Sequence, residues 1–99
     1  MKDYWVYIIK CSDNSYYTGV TNNLQRRISE HQNGTSQDAY TKSRRPIEVV
    51  YSALYHDINQ AISHEKQIKG WSRAKKEELI NNDFVKLQKL SERKNKKLK

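Results

Sequence analysis

Two aromatic and β-branched runs joined by a turn, followed by capped helices on either side of a third such run, predict an α+β domain. The expected architecture is a small three-stranded, mainly antiparallel sheet flanked by helices, in the order ββαβαα. At 99 residues the chain is read as one domain that can bury roughly 60–70% of its unfolded surface. Cys11 is the only cysteine, which rules out an intramolecular disulfide and a thiolate zinc site of the CxxC kind.

Tyr4 to Cys11 reads as the first strand, with Trp5, Tyr7 and Ile9 on one face and Val6 and Ile8 on the other. Apolar residues on both faces imply cover on both sides. Ser12-Asp13-Asn14 is turn chemistry, and Ser15 to Val20 returns as the second strand. A two-residue loop would put Tyr7 and Tyr17 on opposite faces. A three-residue loop pairs Cys11 with Ser15 and brings both phenols to one face. Asn14 can take the left-handed conformation that the longer loop needs, so the three-residue loop is expected.

Asn22, with Gln25 three residues on, predicts a helix cap, and Gly34 predicts the helix end. With Leu24 at zero on the helical wheel, Ile28 lies at about +40°, His31 at about −20° and Arg27 at about −60°. Arg27 and His31 therefore share the core-facing arc. A polar, basic loop follows through Lys42-Ser43-Arg44-Arg45-Pro46. Ile47 to Tyr55 reads as the third strand, with Ile47, Val49, Tyr51 and Ala53 on one face. Asp57 and Gln60 form the signature of a second capped helix, which Gly70 ends, and Glu65 falls within its apolar stripe. Ser72 opens a short basic helix through about Asn81. Residues 1–82 are thus assigned to the domain. Residues 83–99 form a basic C-terminal segment, amphipathic through Phe84, Leu87 and Leu90 and fraying into disorder.

The net charge of +8 is concentrated toward the C-terminus. Residues 1–65 hold seven basic and seven acidic side chains, whereas residues 66–99 hold twelve and four. A polyanionic partner follows, and nucleic acid fits better than membrane because the basic segment has few anchoring aromatics. Lys42, Arg44, Arg45, Lys66, Lys69, Arg73, Lys75 and Lys76 are the expected phosphate-neutralising groups. Neither a signal-peptide pattern nor a stretch of membrane-spanning length is present, so a cytoplasmic location is expected.

An isolated carboxylate on a buried face must be paired, protonated or metal-bound. Glu65 therefore has two readings: a structural ion pair with Arg27, or a ligand for Mg²⁺, which commonly takes one or two protein carboxylates and fills its shell with water and phosphate oxygens. A phenol has a reference pKa near ~10 and serves as a base only where cations favour phenolate. His31, His56 and His64 lack zinc-ligand spacing.

Three segments carry a family resemblance: Trp5-Val6-Tyr7, Tyr17-Thr18-Gly19 ten residues later, and Asn23 to His31 with Arg27 at its centre. They resemble the signature of the GIY-YIG nuclease superfamily, and His64 to Ser72 is similar to its short stand-alone bacterial branch, the YhbQ-like proteins. The resemblance implies a metal-dependent phosphodiesterase acting on DNA. Tyr7 would be general base or water-positioning group, and Tyr17 would support the phosphate. Arg27 would stabilise developing charge, His31 would assist, and Glu65 would hold one Mg²⁺ or Mn²⁺. Trp5 replaces the family's first glycine and Thr18 an aliphatic residue, and neither change removes a chemical group. With no separate DNA-targeting domain, the expected protein is a monomeric endonuclease or nickase of low sequence specificity, acting in DNA repair or turnover and directed by DNA structure or a protein partner. The alternatives are a non-catalytic nucleic-acid-binding module on the same fold and a protein-interaction domain whose basic segment binds an acidic partner.

Overall fold

A computed structural model describes residues 2–35 and 39–82. The elements are β1 (Tyr4–Lys10), β2 (Tyr16–Thr21), α1 (Leu24–Asn33), α2 (Ala39–Lys42), β3 (Glu48–Tyr55) and α3 (Ile58–Lys69). Residues 73–82 are also helical and are termed α4. The sheet order is β2-β1-β3, with both pairings antiparallel. The expected α+β class and three-stranded sheet are therefore present, with α2 inserted where the sequence implied only a loop. The C-terminal helix expected around Phe84, Leu87 and Leu90 lies outside the described residues.

The hairpin follows the loop chemistry. Cys11 N–H donates to the Ser15 carbonyl at 2.8 Å, and Asn14 N–H donates to the Cys11 carbonyl at 2.9 Å. Asn14 sits at φ 67°, the left-handed conformation its short polar side chain tolerates. Asp13 accepts hydrogen bonds from the Ser15 backbone and hydroxyl. Those bonds, led by the hydroxyl's, hold its carboxyl below the ordinary carboxylate range. The register pairs Tyr7 with Gly19 and Ile9 with Tyr17, so both phenols share a face.

Each face of β1 is covered by a different helix. Tyr7, Ile9, Cys11 and Ile47 form one buried cluster, against which Leu24 and Ile28 of α1 pack. Val6 and Ile8 face the other way onto Ala61 and Ile68 of α3, joined by Trp71, Leu79 and Ile80. The single-faced alternation expected for β3 is broken. Ile8 pairs with Tyr51 but Ile9 with Val49, so Val50 is an extra residue in the ladder. Ile47 therefore joins the α1 side, while Val50, Tyr51 and Tyr55 join the α3 side.

Helix ends follow backbone need. Asn23, not Asn22, caps α1, its side chain accepting the Arg26 N–H at 3.0 Å. Gly34 ends it at φ 73°, where an added Cβ would also strike the Arg45 guanidinium. Asp57 caps α3 by accepting from Asn59 N–H, and the Ser72 hydroxyl accepts from Lys75 N–H to open α4. The buried arc of α3 is Ala61, Glu65 and Ile68, and Ile58 is 45% exposed.

Gly19 is the one strand position where size is decisive. An added Cβ would stand 2.5 Å from the Tyr7 hydroxyl oxygen and 2.6 Å from the ring carbon that bears it. Gly19→Ala should destabilise the domain by about 1–3 kcal/mol, measured by denaturant unfolding, because Tyr7 must give up its position. On the other side of the sheet, the His64 ring lies 5.5 Å from Tyr55 and is stacked on Tyr51. Burial lowers its pKa below the ordinary 6.5. The folded state then binds fewer protons than the unfolded one, so this stability is present above pH 6.5 and lost as pH falls through the depressed value. Melting temperatures taken between pH 7.5 and 5.5 should fall less for His64→Gln than for the wild type.

Candidate active site

Tyr7 lies at the centre of a connected group of polar side chains. Its hydroxyl is 3.0 Å from His31 Nε2 and accepts a 3.4 Å hydrogen bond from Arg27 Nε–H. His31 is fully buried, and its Nδ1 lies 2.8 Å from Thr41 Oγ1, also fully buried. Both ring nitrogens are thus engaged, and the chain Arg27–Tyr7–His31–Thr41 links β1 to α1 and α2. Burial makes these bonds matter: an unmade one would cost about 1–3 kcal/mol. The Tyr17 ring stands 6.3 Å from Tyr7 and edge-on to His31 at 5.2 Å. Tyr40 of α2 stacks on Tyr17 at 6.2 Å, and Arg44 covers Tyr40 at 4.0 Å.

Arg27 also pairs with Glu30, at 3.2 Å. The hydrogen bond to Tyr7 raises the arginine's pKa above its ordinary value, with Glu30 adding to the effect and burial opposing it. The guanidinium is permanently charged. Tyr7 is only 1% exposed, and its hydroxyl is engaged by His31 and Arg27.

Glu65 departs from expectation in two ways. Its cation is Lys69, one turn on, at 2.6 Å, rather than Arg27. It also projects from α3, on the opposite side of the sheet from α1, which carries Arg27. Tyr17, which shares a face with Tyr7, and Lys69, the partner of Glu65, meet at the β2 edge. There a hollow of about 250 Å³ is lined by Tyr16, Tyr17, Thr18, Tyr40, Lys69 and Lys76. Thr18 Oγ1 is buried and has no hydrogen-bond partner among the described residues.

The donor set fits one hard divalent ion. No group of three or more His, Cys, Asp or Glu that could cage a metal occurs among the described residues, and His31 has both nitrogens engaged. Glu65, already paired with the Lys69 ammonium, could give a hard divalent ion one oxygen donor, with water and phosphate oxygens to complete the shell.

The basic residues divide by engagement. Arg44 is clamped by Asp13 at 3.0 Å and by the Tyr40 carbonyl, and Arg45 donates to the Lys42 and Gln32 carbonyls. Arg73 lies over Tyr16, pairs with Glu77 and donates to the Asn14 carbonyl. Lys75 lies over Trp71. Lys42 and Lys66 are exposed, and Lys76 lines the hollow beside Tyr17.

Thr41 and Tyr40 are the site residues that sequence reasoning missed. The only clue was that a buried histidine requires a second partner; a four-residue helix leaves no periodic signal. A hollow of about 770 Å³ lies elsewhere, between Trp5, Leu24, Ile28 and Val49. Among the described residues it is lined by none of the expected catalytic groups and by one charged side chain, Asp3.

Comparison with known proteins agrees with this geometry. Residues 3–78 match the GIY-YIG catalytic domain, a family whose members are usually nucleases. A UPF0213 protein of Natronomonas pharaonis is 40% identical over 81 residues, spanning 82% of this chain and 94% of the relative. One from Staphylococcus saprophyticus is 41% identical over 81 residues, spanning 82% and 98%. The solution NMR structure of a UPF0213 protein from Bacillus halodurans superposes with TM-score 0.54 at 37% identity, covering 80% of this chain and 83% of that one. A solution NMR structure of an E. faecalis protein gives TM-score 0.60 at 26% identity, covering 86% and 90%. With its two tyrosine strands, Arg27 on the first helix and near-complete coverage of these short relatives, the chain belongs to the GIY-YIG family, in its stand-alone UPF0213 (YhbQ-like) branch.

Proposed function

We propose that the protein is a divalent-metal-dependent endonuclease that nicks DNA phosphodiester bonds with little sequence preference of its own, as a cytoplasmic monomer acting in repair or DNA turnover. The observation that carries this reading is the continuous hydrogen-bond chain Arg27–Tyr7–His31–Thr41. It gives a buried phenol both a neighbouring cation, which favours phenolate, and an imidazole nitrogen that can take its proton.

On this reading the Tyr7 oxygen takes a proton from the attacking water while its own passes to His31 Nε2. Thr41 accepts from His31 Nδ1–H and so selects the tautomer with Nε2 bare. Arg27 exchanges Glu30 for a non-bridging phosphate oxygen while its Nε–H stays on Tyr7, so the guanidinium both favours the phenolate and neutralises charge as it develops. Tyr17, at the mouth of the hollow, donates a hydrogen bond to the same phosphate. Glu65 would hold Mg²⁺ or Mn²⁺, which would supply Lewis acidity for the phosphoryl transfer. Lys42, Lys66, Lys75 and Lys76 contribute phosphate contacts, with Arg44, Arg45 and Arg73 in supporting positions.

The test is supercoiled-plasmid nicking with Mg²⁺ or Mn²⁺ against EDTA. Tyr7→Phe should lower the nicking rate at least ~10²-fold, the scale of lost acid–base catalysis. Firm, salt-sensitive DNA binding without nicking by the wild type would instead favour the non-catalytic binding module. Thr41→Val leaves His31 Nδ1 without its partner and should cost about 1–3 kcal/mol in unfolding experiments. Thr41→Ser should restore both stability and the pH–rate profile.

A further inference from the structure

We infer that Lys69 is a built-in counter-ion for the metal-free site. Its ammonium occupies Glu65 until a divalent cation displaces it, and it then turns into the adjoining hollow to hold a phosphate of the DNA strand. The inference rests on the proposed role of Glu65 and adds an exchange step to it.

Glu65 is a carboxylate with a side chain only 10% exposed, and a desolvated charge of that kind needs a counter-charge. Lys69 supplies one at 2.6 Å from one helical turn away, and its own side chain stays 56% exposed. The lysine stem is therefore not fixed by packing. The same side chain lines the hollow with Tyr16, Tyr17, Tyr40 and Lys76, so a rotation about its own stem moves the charge from carboxylate to hollow. That hollow carries a second ammonium from Lys76 and phenol rings, and Thr18, whose buried hydroxyl lacks a partner among the described residues, forms part of its wall. Such a lining suits a phosphodiester oxygen better than an apolar group. Lys69 holds Oε2, and a divalent ion on that oxygen would stand close to the ammonium with strong repulsion, so the two compete for it. Arrival of the metal also brings the negative phosphate to which the released ammonium can move, so charge stays balanced throughout.

Mn²⁺ binding measured by calorimetry and by electron paramagnetic resonance, with no DNA present, tests the exchange. Lys69→Gln should bind Mn²⁺ at least about fivefold more tightly than the wild type, the lower end of typical site–site coupling. It should also melt at a lower temperature without metal and regain the difference when Mn²⁺ is added. Lys69→Arg, which keeps the charge, should stay near wild type in both respects. Lys66→Gln, which removes an exposed charge from the same helix, should leave Mn²⁺ affinity within about twofold of wild type. In a Tyr7→Phe background that suppresses cleavage, adding Mn²⁺ should strengthen DNA binding more when Lys69 is intact than when Lys69→Gln is also present. Equal Mn²⁺ affinity in Lys69→Gln and wild type, or equal tightening in Lys66→Gln, would overturn the exchange while leaving Glu65 as ligand. Undiminished Mn²⁺ binding by Glu65→Gln would remove the metal assignment itself, and the exchange with it.

Discussion

A hydroxyl and an imidazole, both withdrawn from water, meet where β1 packs beneath α1. The Tyr7–His31 hydrogen bond constrains much of what surrounds it. Once the phenol is directed at His31, the strand beside it must carry glycine, because a Cβ at position 19 would occupy the space of the Tyr7 hydroxyl. Once Nε2 is engaged, the remaining ring nitrogen needs a buried partner, and α2 supplies Thr41. Arg27 closes the group from the solvent side. A single polar contact thereby sets the residue at position 19, the turn of helix after the α1 loop and the orientation of the guanidinium.

Much of this was legible in the sequence because local chemistry had few solutions. Asn14 could adopt the left-handed conformation, that fixed the three-residue loop, and the loop fixed Tyr7 and Tyr17 on one face. Gly34 and Asp57 marked helix ends for equally local reasons. The failures share a cause in tertiary context. Adjacent Asn22 and Asn23 are equivalent as caps until Thr21 engages the Asn23 backbone. The extra residue at Val50 leaves no trace in an apolar run that can face either way, and α2 is too short for periodicity. Helical wheels placed Glu65 inward, but a wheel cannot say which side of the sheet its helix covers.

The charged groups of the candidate site are held by partners on their own helices: Arg27 by Glu30 and Glu65 by Lys69. Such pairs contribute little net stability where solvent reaches them. Their consequence here is that neither charge is left uncompensated. Arg44, by contrast, is tied to Asp13, Tyr40 and the hairpin backbone, which fits it to brace α2 beneath His31.

If Tyr7 lends its proton to one particular nitrogen of His31, nitrogen-resolved NMR of the His31 ring reads this directly. The expected ring is neutral with Nδ1 protonated and Nε2 bare, the Nε2 resonance moving when Tyr7 is replaced by Phe. An imidazolium at neutral pH, the opposite tautomer, or an Nε2 signal indifferent to loss of the Tyr7 hydroxyl would contradict it.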